Sequence, residues 1–266
     1  MIQVSIIIPT YKPGDYIFDC LSSIQSQTFP KYNYEVIIVL NGCCEPYKTR
    51  LEEFIQKKMS SFNVVFIHNE EGGVSNARNI ALDCMRGNYV TFIDDDDLIS
   101  PDYLKLLYEK VSTDTVALCY PSAFVDGEGP MRNYRITREY RRRSVKGKQA
   151  FYKAKKFFSL PSMKLISRDV VQDRRFDPHF SNGEDSIFNF LISDRLKFVD
   201  FTSEQAVYYR RIRAGSATTV KRSLLKRFAN SLNMIRAYSN ILIKNPCKYN
   251  WWFYITRVIG ALRSII

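Results

Sequence analysis

The sequence predicts an α/β fold: a Rossmann-like, mostly parallel central sheet flanked by helices, followed by a C-terminal helical extension. Three observations carry that prediction: short β-branched apolar runs, segments of helical length between them, and polar or glycine-containing residues directly after each run.

Residues 4–8 are an apolar run closed by Pro9, and residues 35–40, 64–67, 89–93 and 116–120 repeat the pattern. Continuous runs of this kind suit strands buried on both faces. Residues 16–26, 47–58, 74–85 and 102–111 have helical length and periodicity. Beyond about residue 122 the alternation stops, and a basic, aromatic-rich stretch to about residue 158 reads as loops and short helices over the sheet. A short helix is expected over 186–193, with Ile187, Phe188, Phe190, Leu191 and Ile192 packing inward, and longer ones over 224–242 and 251–266. At 266 residues and 45% hydrophobic content, the chain suits one large domain better than two.

The net formal charge of +12 is unevenly spread. Residues 132–175 carry fifteen Lys and Arg against three acids, and from Arg210 onward there are twelve Lys and Arg and no acid. The remainder must be strongly acidic, which suits cation handling there and attachment to an anionic partner elsewhere. The six cysteines include no Cys-x-x-Cys pair and no zinc spacing, so a reducing compartment is expected. The N-terminal apolar run is short and has no basic lead, so export is not expected.

In open α/β sheets, ligands bind beyond the carboxyl ends of the strands. The residues there are Thr10 and Tyr11, Asn41 and Gly42, Asn69 with Gly72 and Gly73, and the four aspartates Asp94, Asp95, Asp96 and Asp97. Adjacent carboxylates repel one another, and a divalent cation would offset that repulsion. In an extended segment Asp94 and Asp96 would face one way, Asp95 and Asp97 the other. The competing reading is helix capping, but Ser100-Pro101-Asp102 already offers an N-cap, a first-turn proline and an acid. Two or three carboxylate oxygens completed by phosphates and water would suit Mg²⁺ or Mn²⁺ at a nucleotide site, neutralising a departing diphosphate.

Four blocks in order resemble the inverting family 2 glycosyltransferases of GT-A fold: residues 4–11 with 21–29, residues 69–79, Phe92-Ile-Asp-Asp-Asp-Asp97, and Gly183-Glu-Asp185 with Phe188. The resemblance spans roughly residues 3–215. It implies a catalytic region 1–215, with 1–121 binding the nucleotide sugar and 122–215 the acceptor, and an extension 216–266. It further implies that Pro9, Thr10 and Tyr11 lie near the nucleoside, Arg78 near the nucleotide, Asp95 near the ribose, and Asp96 with Asp94 on Mn²⁺ or Mg²⁺. Asp185 would take the proton of the acceptor hydroxyl, with Glu184 contacting or orienting the acceptor. Arg211 and Arg213 would clamp the diphosphate, with solvated basic surface as the competing reading. Glu184 and Asp185 could alternatively serve as first-turn partners of a helix dipole.

The chain departs from the family where Asn41-Gly42-Cys43 replaces a common acidic pair, removing a carboxylate that reads uracil; Asn41 could still bond a base edge. The two histidines, His68 and His179, both precede Asp185, leaving diphosphate and water to complete a metal shell. A UDP-sugar nevertheless remains the expected donor, with a saccharide or lipid-linked saccharide as acceptor in bacterial surface-polysaccharide or lipopolysaccharide assembly.

Trp251, Trp252, Phe253, Tyr254, Ile255, Val258, Ile259 and Leu262, interrupted by Arg257 and Arg263, are too short and too charged to span a bilayer. Composition leaves open whether this helix lies on a membrane or packs on the catalytic region. The expected location is cytoplasmic, with peripheral contact on the inner face of the membrane as an option. Two other function classes fit the sequence less well. A basic nucleic-acid-binding protein would leave the aspartates unexplained, so no nucleic-acid partner is expected. A sugar nucleotidyltransferase would call for a glycine-rich basic loop after the first strand, which Thr10-Tyr-Lys-Pro-Gly14 matches poorly.

Overall fold

The computed structural model describes residues 1–131, 134–213 and 223–265. The first half alternates strand and helix: β1 (Val4–Thr10), α1 (Tyr16–Gln25), β2 (Tyr34–Asn41), α2 (Tyr47–Lys58), β3 (Asn63–Asn69), α3 (Val74–Cys84), β4 (Tyr89–Phe92), β5 (Leu98–Ile99), α4 (Tyr103–Tyr108) and β6 (Thr115–Leu118). The second half adds β7 (Tyr120–Val125), β8 (Gly129–Pro130), α5 (Arg135–Ser144), β9 (Gln149–Ala150), a 3-10 segment (Phe151–Ser159), β10 (Lys164–Ser167), α6 (Arg168–Val171), α7 (Glu184–Leu191), β11 (Phe198–Phe201), β12 (Val207–Ile212), α8 (Leu224–Lys244) and α9 (Trp251–Arg263).

Eight strands form one sheet in the order β3-β2-β1-β4-β10-β6-β11-β9. β3, β2, β1 and β4 are parallel, and every residue of β1 and β2 is buried, as apolar runs covered on both faces require. β10 runs antiparallel to both β4 and β6, and β11 returns parallel to β6. A smaller sheet, β5-β12-β7-β8, lies beside the carboxyl end of β4.

The structure corrects three expectations. The apolar run 116–120 is not one strand: the Cys119 amide bonds the Met163 carbonyl at 3.2 Å, the Tyr120 amide bonds the Ala206 carbonyl at 2.8 Å, and the chain crosses there between sheets. The stretch beyond residue 122 holds strands as well as helices. Within β7, Pro121 and Ala123 are buried while Tyr120, Ser122 and Phe124 are half-buried, a period-two pattern with no apolar run to mark it. The third correction concerns Ser100, which does not cap α4; its hydroxyl donates to the Gln205 carbonyl at 2.7 Å and accepts from the Val207 amide at 2.8 Å, tying β5 to β12.

The last two helices form an antiparallel pair, joined by the Ser239 and Tyr254 hydroxyls at 2.9 Å and by Arg227 Nε on the Ser264 carbonyl at 2.8 Å. One face of α9 packs on the 3-10 segment and on α7. Phe253 is fully buried among the rings of Phe151, Phe158 and Phe190, and Arg257 donates to the carbonyls of Phe158 and Lys155 at 3.1 and 2.8 Å. The expected helix 251–266 ends at Arg263, and Ile266 lies outside the described residues. No helix among the described residues is long and apolar enough to cross a membrane.

Candidate active site

A cleft of about 700 Å³ opens at the carboxyl ends of β1, β2 and β4, where the parallel topology directs ligands. Pro9, Thr10, Tyr11, Asn41 and Asp94 to Asp97 border it from one side, Arg210 to Arg213 from another. The loops after β2 and β3 meet closely: Gly42 has φ +66°, and a Cβ there would lie 2.8 Å from the Cα of Gly72. Only glycine fits both constraints.

Asn41 serves that junction. Its Nδ2 donates to the Thr10 carbonyl at 2.8 Å and its Oδ1 accepts from the Gly73 amide at 2.9 Å. The side chain is buried and its amide is taken up by the backbone, which leaves base recognition to other groups. Tyr11 lies on the cleft wall with 54% of its surface exposed.

The four aspartates do not alternate as an extended strand would. β4 ends at Phe92, and the Asp97 amide bonds the Asp94 carbonyl at 3.1 Å, closing a turn that sends each carboxylate to a different partner. Asp94 faces Arg78 Nη2 at 3.5 Å; Asp95 accepts from the Thr10 hydroxyl; Asp96 Oδ2 accepts from Arg213 Nε at 2.7 Å; Asp97 accepts from the Arg211 amide at 2.8 Å. The Tyr208 hydroxyl accepts from the Asp94 amide at 3.2 Å and donates to Asp97. Burial pushes Asp95 up to about 7, against the opposing Thr10 bond, and lifts Asp94 and Asp97 as well. Desolvation and mutual repulsion both act against a full set of charges on this turn.

Two arginines expected on a diphosphate part company. The Arg211 guanidinium is occupied by Asp19 at 2.9 Å, Asp126 at 2.8 Å and the Asp96 carbonyl at 2.9 Å, so it braces the turn. Arg213 pairs with Asp96 among the described residues and lies over the Tyr16 ring, 4.1 Å from its centroid.

Asp185 is the second residue of α7, which is entered through Gly183 at φ +92°. Arg78 Nη1 donates to Asp185 Oδ1 at 2.7 Å and lies 3.8 Å from Glu184 Oε1 while its other nitrogen reaches Asp94. The Arg78 side chain is 4% exposed and packs on Phe176, so it stands behind the cleft and joins the strand end to α7. Burial raises Asp185 to about 6, with Arg78 opposing and Glu184 assisting the rise. A carboxylate held near that value suits proton acceptance from a hydroxyl around neutrality.

The donor set permits a divalent ion only in a restricted way. Among the described residues no three His, Cys, Asp or Glu side chains converge. Asp96 lines the cleft and meets the guanidinium of Arg213, and it fits an ion bound mainly by phosphate and water. The expected pairing of Asp94 with Asp96 is absent because the turn points Asp94 at Arg78.

The glycosyl transferase family 2 sequence model matches residues 5–175. The chain belongs to that family. It is 31% identical over 231 residues to the glycosyltransferase GlyA of Streptococcus pneumoniae serotype 4, covering 82% of this chain and 32% of GlyA, so it spans about a third of that relative's length. It is 25% identical over 221 residues to TarS of Staphylococcus aureus, named a poly(ribitol-phosphate) β-N-acetylglucosaminyltransferase, covering 81% of this chain and 36% of TarS. The fold matches that of TarS residues 1–349 in complex with UDP-GlcNAc with a TM-score of 0.75 at 22% identity, over 99% of this chain and 72% of that one. It also matches a Pyrobaculum calidifontis mannosyltransferase in complex with GDP-Man and Mn²⁺, with a TM-score of 0.65 at 16% identity, over 99% and 69% of the two chains.

Several participants carry no signal in the sequence taken alone. Tyr208, Asp19, Asp126 and Tyr16 act on the aspartate turn from distant positions. Lys164 is fully buried and is pushed down to about 7 by burial, with Asp185 opposing that fall. An isolated lysine in an apolar strand segment was the available clue.

Proposed function

We propose that this chain is an inverting, metal-dependent glycosyltransferase that moves a sugar from a nucleoside diphosphate donor, a UDP-sugar, to an acceptor hydroxyl. The observation that carries the proposal is the Arg78 bridge, which joins Asp94 at the mouth of the donor cleft to the buried carboxylate of Asp185. The nucleoside rests against Tyr11 and Pro9, and Asp95 and Thr10 meet the ribose. Mn²⁺ or Mg²⁺, held by Asp96 and the donor phosphates, would neutralise the leaving diphosphate. Arg213 exchanges Asp96 for phosphate when donor binds. Asp185 accepts the proton of the attacking hydroxyl, Glu184 orients the acceptor, and attack opposite the leaving group inverts the anomeric centre.

The names of the relatives support a cell-surface polymer, free or lipid-linked, as acceptor class. The catalytic unit is residues 1–215, with 1–121 serving the donor and 122–215 the acceptor, braced by α8 and α9 of the extension. Six free thiols accord with a reducing, cytoplasmic setting.

The test is calorimetry with UDP-GlcNAc, UDP-glucose and GDP-mannose, with and without Mn²⁺. Metal-dependent binding of one donor is expected, abolished by Asp96→Ala and retained by Asp185→Asn, which loses turnover. Indifference to every nucleoside diphosphate would overturn the proposal, and normal turnover by Asp185→Asn would remove its base.

A further inference from the structure

The C-terminal helix pair has two faces, and packing on the catalytic region uses one. On α9, Trp251, Trp252, Ile255, Ile259 and Leu262 remain 41 to 58% exposed while Phe253 and Arg257 point inward. At 3.6 residues per turn these five positions fall within an arc of about 100°, a single outward stripe. The N-terminal half of α8 lies beside the C-terminal end of α9, as the Arg227 contact to Ser264 shows, and leaves Leu225, Phe228 and Leu232 exposed as well.

The charge around the stripe has one sign. No Asp or Glu occurs from Arg210 to the end. The Lys155 ammonium lies 5.9 Å from the centroid of the Trp252 ring, and it is held below the usual lysine range by burial and by repulsion from Arg257 and Arg263. Lys226, Arg236, Lys244 and Arg263 are exposed on the same helix pair, and Lys248 on the connection between its helices.

We propose that the outward face of α9, with the first half of α8, rests on an anionic lipid surface. Charge complementarity selects this occupant. A second copy of the same face would bring like charges together, and a nucleic acid would leave the aliphatic stripe in water. An anionic bilayer answers both features: indole rings suit the headgroup level, aliphatic side chains the acyl boundary, and lysine and arginine the lipid phosphates.

The placement deepens the transferase reading, and only its consequence for the acceptor rests on that reading. Tyr238 of α8 donates to Ser186 Oγ at 2.8 Å, and Arg257 of α9 donates to the same oxygen at 3.2 Å. Ser186 follows Asp185, so the inward face of the helix pair packs on the segment that carries the proposed base, while the outward stripe lies on the far side of α9, about one helix diameter away; a lipid-linked acceptor is the class this placement suits.

Trp251 and Trp252 are the only tryptophans in the chain, so its own fluorescence reports on the stripe. The intact protein is titrated with vesicles of phosphatidylcholine alone and with about 30% phosphatidylglycerol, in low and high salt. A blue shift and co-sedimentation with the anionic vesicles, weakened by salt, are expected. Ile255→Ser with Ile259→Ser should weaken vesicle binding at least about tenfold, with UDP-sugar binding and transfer to a soluble acceptor unchanged. Absence of lipid binding, equal binding to neutral vesicles in high salt, a blue shift caused by self-association without lipid, or a shift produced by RNA rather than by vesicles would each overturn the proposal. Lipid binding that persists when no nucleotide binds would sink the transferase reading and leave this one standing.

Discussion

Arg78 donates to Asp185 at 2.7 Å, so the residue proposed to take the acceptor proton is held by a guanidinium that also faces the aspartate turn. Burial holds Asp185 near 6 and Arg78 opposes that rise. A base must be ionised, so turnover at saturating donor should climb as pH rises through about 6 and level off above it. Arg78→Met should move this limb to higher pH and lower stability by about 3 kcal/mol, because three carboxylates lose their shared cation. Rate against pH for both proteins tests this; an unmoved limb would show that Arg78 leaves the base alone.

Arg213 and a metal ion compete for Asp96 in the proposed cycle. Arg213→Ala should bind Mn²⁺ alone more tightly than the parent, because the carboxylate is freed. It should bind the metal–UDP-sugar complex about tenfold more weakly, because a charge-assisted contact to phosphate is lost. Opposite signs in two calorimetric titrations distinguish this from general damage to the cleft.

Gly183 combines φ +92° with close packing, since a Cβ would sit 2.5 Å from Met234 Sδ in α8. Gly183→Ala should cost about 2 kcal/mol in urea unfolding. Adding Met234→Ala should recover the steric part only. Full recovery would mean that the backbone angle is not a constraint.

Glu139 is buried in α5 and accepts from Arg142 at 2.6 Å, with Lys156 and Arg143 at 3.0 and 3.1 Å. Burial opposes its ionisation, but the hydrogen bonds from Arg142, Lys156 and Arg143 outweigh it and hold the group down to about 2. A depressed folded-state value stabilises above the ordinary value near 4.5, and that stabilisation fades as pH falls toward about 2. Glu139→Gln should therefore lose stability at pH 6 and show a shallower decline across that window. Equal slopes would show that other carboxylates dominate acid unfolding.

The donor half was readable because each buried parallel strand announces itself as an apolar run and ends in the residues that border the cleft. The α2 boundaries at Tyr47 and Lys58 were readable to the residue. The second half was not. β7 and β12 carry tyrosines and arginines on half-buried faces, and β5, β8 and β9 are only two residues long. Within the site, residue types were legible but directions were not. The turn at Asp94 to Asp97 and the backbone bonds of Asn41 depend on contacts between β1, β2 and the loop after β3, which no local pattern encodes.

β10 enters the large sheet between β4 and β6 and bonds to both. It rivets the strands that carry the cleft to those of the second half, where the acceptor is proposed to bind, so the two cannot swing apart as separate lobes without breaking a ladder in the middle of the protein. Accommodation of substrates must then be achieved by rearranging side chains and connecting segments over an unyielding floor, and hydrogen exchange in β10 should stay equally slow with and without donor.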